Sequence, residues 1–172
     1  MTISAELQQA IDNLKIQDVY LRELDARCLG DFDPKYADDL ADLTVQQMYL
    51  VRQAQIAEIE GDGRLLRVFV RLGVRWVDSK ESSEEDSIRA LIEAEFIAEY
   101  RMMEALEQAA IDEFSLKNVS YHVWPYWREL LSGQCARMYL PRLILPAIQL
   151  AHNRHQQTEG SELAEENTQD RG

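Results

Sequence analysis

The chain has 172 residues, of which 46% are apolar and 28% charged, and this is typical of one globular domain with its own core. Its 18 basic and 31 acidic residues give a net charge of −13, which repels phosphate backbones and anionic lipid and argues against a nucleic-acid partner. The sequence shows neither the pattern of a signal peptide nor an apolar run long enough to span a bilayer, so we expect a cytoplasmic protein without membrane insertion.

The chain begins with a weak helix, a first strand and a long loop. A weak helix is predicted over residues 1–13. Leu7 and Ile11 share one helical face with Leu14, the residue that follows this segment. A strand is predicted from Leu14 to Leu29, because strand-forming residues alternate there with charged ones. The acidic stretch DFDPKYADDLADL then breaks the pattern with a proline and predicts a crossover loop.

Three more strands follow, and two of them show strict alternation. The second strand, residues 45–59, turns at EGDGR directly into the third, since glycines permit a tight hairpin. In residues 64–78 and 88–100, every second side chain is apolar, which predicts one buried and one wetted face. The apolar side comprises Leu66, Val68, Val70, Leu72, Val74 and Trp76, then Ile88, Ala90, Ile92, Ala94, Phe96, Ala98 and Tyr100; the wetted side carries Arg67, Arg71 and Arg75, then Glu93, Glu95 and Glu99.

The second half predicts helices that cover this sheet. A short helix is predicted over residues 102–112, and a longer one begins with Pro125 at its first position and ends at Pro141. A further helix after Pro146 leads into an acidic tail, residues 153–172, that is predicted to be disordered. Strands followed by helices indicate an α+β domain over residues 14–152, with a four-stranded antiparallel sheet covered by two C-terminal helices.

No pattern in the sequence predicts catalysis, a cofactor or a metal. His152 and His155 have a spacing that metal ligands use, but no cysteine or inward carboxylate accompanies them. The loop DFDPKYADDLAD resembles part of a calcium-binding loop, yet Lys35 and Tyr36 occupy a ligand position and the glycine position. Cys28 and Cys135 are expected to be reduced thiols. We therefore expect a protein that is not an enzyme.

The aromatic and aliphatic residues near Pro125 and Pro146 exceed what one sheet face needs. Contiguous apolar surface of this kind is uncommon unless it binds something, so we expect a groove for extended apolar peptide segments. Gly133, beside Ser132 within a helix, either permits close approach of another subunit or is a tolerated defect. The predicted groove residues are Phe32, Tyr36, Tyr121, Trp124, Tyr126, Leu143, Ile144 and Ile148, and the predicted subunit-interface residues are Trp127, Leu131, Ser132 and Gly133.

Three stretches resemble the SecB family of protein-export chaperones. PYWRE at residues 125–129 is similar to the family's P-Y-x-R-E, and Leu143, Leu145 and Pro146 are similar to its L-x-L-A-P. IQDVY at residues 16–20 resembles the family's first strand, I-Q-x-I-Y. The resemblance implies a tetramer, built as a dimer of dimers, that binds unfolded preproteins without ATP and hands them to the motor SecA. By position it implies SecA contacts at Glu23, Leu91 and Glu93.

The sequence departs from the family pattern at several places. Arg27 stands where the family has an acidic residue, residues 147–152 replace N-F-D-A-L-F, and the chain ends in Arg171 and Gly172. We therefore expect an ATP-independent holdase, with export of preproteins as the first hypothesis and a dedicated antitoxin chaperone as the alternative. A third possibility, from another class, is a small-ligand-binding or enzymatic domain whose aromatic residues line a closed pocket.

Overall fold

A computed structural model describes residues 2–61 and 63–145. The predicted helix after Pro146, the groove residue Ile148 and the predicted tail lie outside the described residues. The chain divides into two compact units, one formed by Ser4–Ile144 and one by the chain ends, Met1–Ile3 with Leu145–Gly172. All helices and strands below belong to the first unit; of the second, the structure describes Thr2 and Ile3, both exposed, and Leu145, which is buried.

The predicted α+β fold is confirmed, with four antiparallel strands followed by helices. Within the described residues the two helices after the sheet are longer than the helices before it, so the covering layer comes mainly from the C-terminal half. The elements are α1 (Ala5–Asn13), β1 (Leu14–Cys28), a 3₁₀ turn (Leu40–Asp42), β2 (Thr44–Ile59), β3 (Gly63–Val77), α2 (Glu84–Ser87), β4 (Ile88–Met102), α3 (Gln108–Lys117) and α4 (Val119–Arg137).

The strand order is β1-β4-β3-β2, so β1 and β2 form the two edges of the sheet. Both edge strands carry bulges: the register shifts between Leu21 and Glu23 in β1, and between Val51 and Gln53 in β2. Arg22 and Arg52 are therefore the extra residues at these two points. A bulge bends a strand and re-aims its side chains, which matters for the charged face described below.

The core lies between β3, β4 and the helices. The predicted buried side chains of β3, from Leu66 to Trp76, are at most 1% exposed, which confirms the alternation predicted for that strand. Ala90 to Tyr100 on β4 are buried in the same way. Helix α4 packs on β4, β1 and β3 with side chains that recur every fourth residue, as one face of a helix requires. These are Val119, Val123, Trp127, Leu131 and Cys135.

Helix α1 adds to the same layer by packing on α3. Its N-cap, Ser4, accepts a hydrogen bond from the Leu7 N–H at 3.0 Å, as N-cap serines do. The Ser4 hydroxyl also donates to Oε2 of Glu113 on α3 at 2.5 Å. The N–H of Met103 donates to the Asn13 carbonyl at 2.9 Å, so the junction between α1 and β1 is fixed at the end of β4.

Two predicted helix boundaries were wrong. Residues 102–107 do not form helix: β4 continues to Met102, and α3 begins only at Gln108. Helix α4 begins at Val119, so Pro125 lies inside it rather than at its first position. A proline inside a helix removes one backbone hydrogen bond and crowds the preceding turn. Pro125 is exposed, so its ring lies on the outer side of α4 and does not disturb the face that packs on the sheet.

Candidate functional site

The helices cover the centre of the sheet completely and its edges only in part. On β1, Leu21 and Leu24 pair with Phe96 and Ala94 and so face the helices, yet they are 41% and 38% exposed. On β2, Ile56 pairs with the fully buried Leu66 and is 48% exposed. Apolar surface is thus left open along both edges of the sheet.

The loop after β1 and the end of α4 meet at Lys35. Its ammonium lies 5.4 Å from the ring centroid of Tyr36 and 5.3 Å from that of Tyr139, within the range of cation–π contact. Both rings remain largely exposed, at 75% for Tyr36 and 59% for Tyr139. The structure therefore joins a predicted groove residue to Tyr139, which the sequence analysis missed.

Tyr139 is held in an unusual backbone conformation. Its φ is 56°, in the left-handed region that residues with a Cβ rarely adopt. It follows the C-cap Met138, and the Leu140 N–H donates to the Cys135 carbonyl at 3.0 Å, the bond of a Schellman motif. Glycine is usual at this position, so the tyrosine costs about 1–2 kcal/mol of backbone strain and places an aromatic ring on the surface.

The other predicted groove residues are distributed over three segments. Phe32 lies in the loop after β1, Tyr121, Trp124 and Tyr126 lie in the first half of α4, and Leu143 and Ile144 follow that helix. Tyr126 and Ile144 are 46% and 78% exposed, and the remaining four are half-buried. Within residues 2–61 and 63–145, no ring contact joins Tyr126 to the pair around Lys35. These residues are accessible, and among the rings of the described residues Lys35 connects Tyr36 with Tyr139.

The predicted interface residues separate into two groups. Trp127 and Leu131 are 2% and 1% exposed in the single chain, because they belong to the face of α4 that packs on the sheet. Ser132 is exposed and Gly133 half-buried. A Cβ at Gly133 would lie 2.7 Å from Nη1 of Arg137, which is the far end of a flexible side chain and can move. Of the four predicted residues, Ser132 and Gly133 are the two that the folded single chain leaves accessible.

The face of the sheet opposite the helices carries pairs of arginine and glutamate. Glu95 on β4 is 1% exposed and accepts from Arg22 Nη1 at 2.5 Å and from Arg52 Nη1 at 2.7 Å. Burial alone would raise the pKa of Glu95, but the hydrogen bonds from both arginines lower it below its usual value. The sequence predicted this glutamate on a wetted face, and that prediction was wrong, since the arginines at the two bulges cover it.

The same arrangement repeats at the other glutamates of β4. Arg71 and Arg75 each contact Glu93 at 3.2 Å. Arg67 and the Tyr20 hydroxyl both donate to Oε1 of Glu99, at 3.0 and 2.9 Å. The guanidinium groups of Arg22 and Arg67 lie 5.9 and 5.5 Å from the Phe69 ring centroid. The arginines therefore neutralise the acids and also shield apolar side chains on a face that none of the described helices covers.

The three residues expected to contact a motor protein lie together on this face. Glu23 on β1 pairs in register with Glu95, and Leu91 and Glu93 lie further along β4. Glu23 is half exposed, at 50% of its side chain. Leu91 is 6% exposed, and the Glu93 side chain is 12% exposed and engaged by two arginines. Glu23 is the most exposed of the three, and its carboxylate lies 4.0 Å from Arg22 and 3.9 Å from Arg71.

The described residues contain no cluster of three or more side chains suited to hold a metal ion. Over the same part of the chain, no helix has the length and apolarity needed to cross a membrane. The distinctive features of the described residues therefore lie on the surface. They are the open apolar edges of the sheet, the exposed tyrosines around Lys35, and the face on which arginines neutralise the glutamates.

Comparison with known proteins found similarity only at the level of structure. No family model matches the chain, and no curated protein matches it in sequence. Among solved structures, the chain is similar to the SecB-like chaperone Rv1957 of Mycobacterium tuberculosis, solved in complex with a ChAD peptide from the antitoxin Rv1956 HigA1. The match has a TM-score of 0.64 and 15% sequence identity, and it covers 86% of this chain and 99% of that one.

Proposed function

Since the chain has the fold of a SecB-like chaperone, we propose that it is a chaperone that binds non-native polypeptides without ATP. The observation that carries the proposal is the apolar surface left open beside the helices, at Leu21, Leu24 and Ile56, together with the exposed rings of Tyr36 and Tyr139. An extended chain with apolar side chains fits such a surface better than a compact ligand does.

The physical basis of binding is many shallow contacts. Each exposed apolar side chain that a client covers contributes on the order of 1 kcal/mol, since burial is worth about 25 cal/mol per Å². A disordered client loses conformational entropy when it binds, and this offsets part of the gain. The net charge of −13 keeps a loaded complex soluble and attracts basic segments of a client.

Suppression of aggregation tests this proposal. A reduced, unfolded client protein is diluted into buffer with increasing amounts of the chain, and turbidity is followed. We expect suppression at a near-stoichiometric ratio without nucleotide. Aggregation that proceeds unchanged at several-fold excess contradicts a holdase.

A matched pair of variants locates the binding surface. We expect the double variant Tyr36→Ala, Tyr139→Ala to suppress aggregation less well than the unmodified chain. Leu116→Ala provides the control, because Leu116 is 66% exposed but lies on α3, outside the loop and the end of α4 that carry these tyrosines. Equal loss in both variants contradicts the assignment of the surface.

For the client, we propose an antitoxin or another single labile protein. The similar chaperone was solved with an antitoxin peptide, which supports this class. The charged face supports it too, because arginines of the chain itself lie against both acids that a basic motor protein would contact. Arg71 and Arg75 contact Glu93, and Arg22 and Arg71 lie within 4.0 Å of Glu23. Affinity capture from the native host, followed by mass spectrometry, should yield one dominant small protein.

Export of preproteins to SecA is the second candidate. It is favoured by the position of Glu23, Leu91 and Glu93 on one face. Under this hypothesis the same capture returns many secretory precursors, and Glu23→Lys weakens binding to SecA in calorimetry. A tetramer, built as a dimer of dimers, is part of both proposals, with Ser132 and Gly133 as contacts between subunits.

A further inference from the structure

A cavity of about 300 Å³ lies beside the N-terminal helix, away from the tyrosines around Lys35. Its walls come from α1, β1, α3 and the start of α4, so it lies where four elements of the first unit meet. The Ser4–Glu113 hydrogen bond fixes α1 as one wall. A volume at the lower end of ligand pockets has room for one large side chain. The lining residues are Ile11, Leu14, Lys15, Ile16, Phe114, Asn118 and His122.

The floor of the cavity is apolar and its rim is open. Leu14 and Phe114 are 5% and 1% exposed, whereas Ile16 is 45% exposed. Leu14 and Ile16 lie on the same face of β1, because alternate residues of a strand point the same way. An apolar side chain that entered over Ile16 would therefore meet aliphatic and aromatic surface at the floor of the cavity.

His122 supplies a hydrogen-bond donor at this cavity. Its Nδ1 lies 2.8 Å from the hydroxyl of Tyr100, which is fully buried. Within the described residues this ring nitrogen is the hydroxyl's only partner, so the arrangement that satisfies the buried proton has Tyr100 donating to Nδ1. Burial lowers the pKa of His122 and raises that of Tyr100, which keeps both groups neutral. The remaining proton of the imidazole then lies on Nε2.

Two polar groups at the cavity have hydrogen-bonding capacity to spare. No acceptor for the His122 Nε2–H is found among residues 2–61 and 63–145. Asn118, at the junction of α3 and α4, makes no side-chain capping bond, and its amide has no other partner in the same ranges. A side-chain amide offers one donor group and one acceptor, which matches the C=O and N–H of a peptide group.

We propose that this cavity binds one leucine-, isoleucine- or phenylalanine-sized side chain of a bound polypeptide, whose peptide group hydrogen-bonds the Asn118 amide and the His122 Nε2–H. The inference rests on the proposed function, and it adds a second contact point for the client on the α1 side of the sheet. A fatty acid fits less well, because the chain's net charge of −13 repels carboxylates.

Imidazole NMR can test the proposal directly, since the chain has three histidines. The His122 signals are assigned by their loss in His122→Gln. An extended, uncharged ten-residue peptide with a central Leu is added to the full chain, and a second peptide has Ala in its place. We expect the Leu peptide to shift the His122 signals and to bind about tenfold more tightly than the Ala peptide, as burial of one aliphatic side chain predicts.

Three variants complete the test. Ile16→Trp fills the rim and Asn118→Ala removes the amide, so we expect each to weaken binding of the Leu peptide several-fold. Leu50→Trp is the control, because Leu50 is similarly exposed, at 50%, but lies on the opposite face of the sheet. Peptide binding that persists with unshifted His122 signals, or that is equal in Ile16→Trp and the unmodified chain, overturns the proposal.

Two further outcomes distinguish other occupants. If decanoate shifts the His122 signals and the peptide does not, the cavity is a lipid site. If substitution of Leu150 by Ala shifts these signals without any peptide, the chain's own C-terminal segment fills the cavity. Either outcome overturns the proposal. Failure to suppress aggregation, with His122 still responding to the peptide, contradicts the proposed function instead.

Discussion

Arg52 on the edge strand β2 reaches across β3 and places its Nη1 2.7 Å from Oε1 of Glu95 on β4. Arg22 approaches the other carboxylate oxygen from the opposite edge. The two bulge residues therefore contact the same buried acid and link both edge strands, β1 and β2, to β4. This arrangement explains how a sheet with helices on one side keeps its other face stable in water.

The first prediction concerns the stability that Glu95 provides. Glu95→Gln removes the charge that both arginines contact, and we expect the free energy of unfolding to fall by about 1.5–3 kcal/mol, the range for hydrogen bonds to charged groups. Urea denaturation measures the change. Glu23→Gln is the control, since Glu23 is half exposed and exposed pairs contribute about 0–1 kcal/mol. Equal effects of both substitutions contradict the assigned role.

The second prediction is that the difference between the native chain and Glu95→Gln depends on pH. The pKa of Glu95 is lower in the folded chain than its unfolded value of about 4.3. Its stabilisation is therefore complete above that value and is lost as the pH falls through the folded pKa. We expect the two unfolding free energies to converge as the pH falls below about 4.3 and through the lower folded pKa. Protonation of the other acids changes both unfolding free energies equally, because both chains contain these acids, and it therefore cancels in the difference.

The third prediction separates stability from binding at Tyr139. Tyr139→Gly relieves the left-handed strain at φ 56°, and we expect the chain to become about 1 kcal/mol more stable. The loss of an exposed ring next to Lys35 should weaken aggregation suppression. Tyr139→Asn is a useful second variant, because asparagine tolerates this conformation and also lacks the ring. Improved stability with unchanged suppression removes Tyr139 from the binding surface.

The fourth prediction contrasts two neighbouring aromatic residues of α4. Trp127 is buried in the core, and Trp127→Ala should cost about 3–5 kcal/mol through the cavity that it leaves. Tyr126 is 46% exposed, so Tyr126→Ala should leave the melting temperature nearly unchanged and reduce client binding. Calorimetry and the turbidity assay measure the two effects. A large loss of stability in Tyr126→Ala argues that this ring packs within the protein.

The fifth prediction concerns assembly through Ser132 and Gly133. Gly133→Ala should stabilise α4 by about 1 kcal/mol in an isolated chain, because the Arg137 guanidinium near its Cβ can move. Gly133→Leu should disrupt a close contact between subunits and lower the mass measured by multi-angle light scattering. An oligomer mass unchanged by leucine would remove this pair from the interface.

The strands could be predicted from the sequence because their information is local. Alternation in β3 places Leu66 to Trp76 on one side, and the core of the structure lies there. Alternation cannot reveal whether a polar residue on the other side meets water. Glu95 is buried because Arg22 and Arg52 reach it from strands far away in the sequence, and only the tertiary structure brings these together.

The candidate site was predicted in part. The aromatic residues of α4 and the loop at Tyr36 were recognised by composition, but the start of α4 was misplaced because proline is common at the first position of a helix. Tyr139 was missed because glycine, not tyrosine, usually marks the left-handed position after a helix. Pro141, two residues later, was a usable signal. The open edges of β1 and β2 depend on how far the helices extend, which periodicity does not give.

The bulges also determine where this chain tolerates a change in length. Deleting or inserting one residue elsewhere in β1 or β2 would turn every later side chain to the opposite face of the sheet. At Arg22 and Arg52, and likewise at Gln17 between Ile16 and Asp18, one extra residue is already accommodated, and the pairing on either side would join without reversal if that residue were absent. Homologues that differ by a single-residue gap in these strands should therefore carry it at one of these three points.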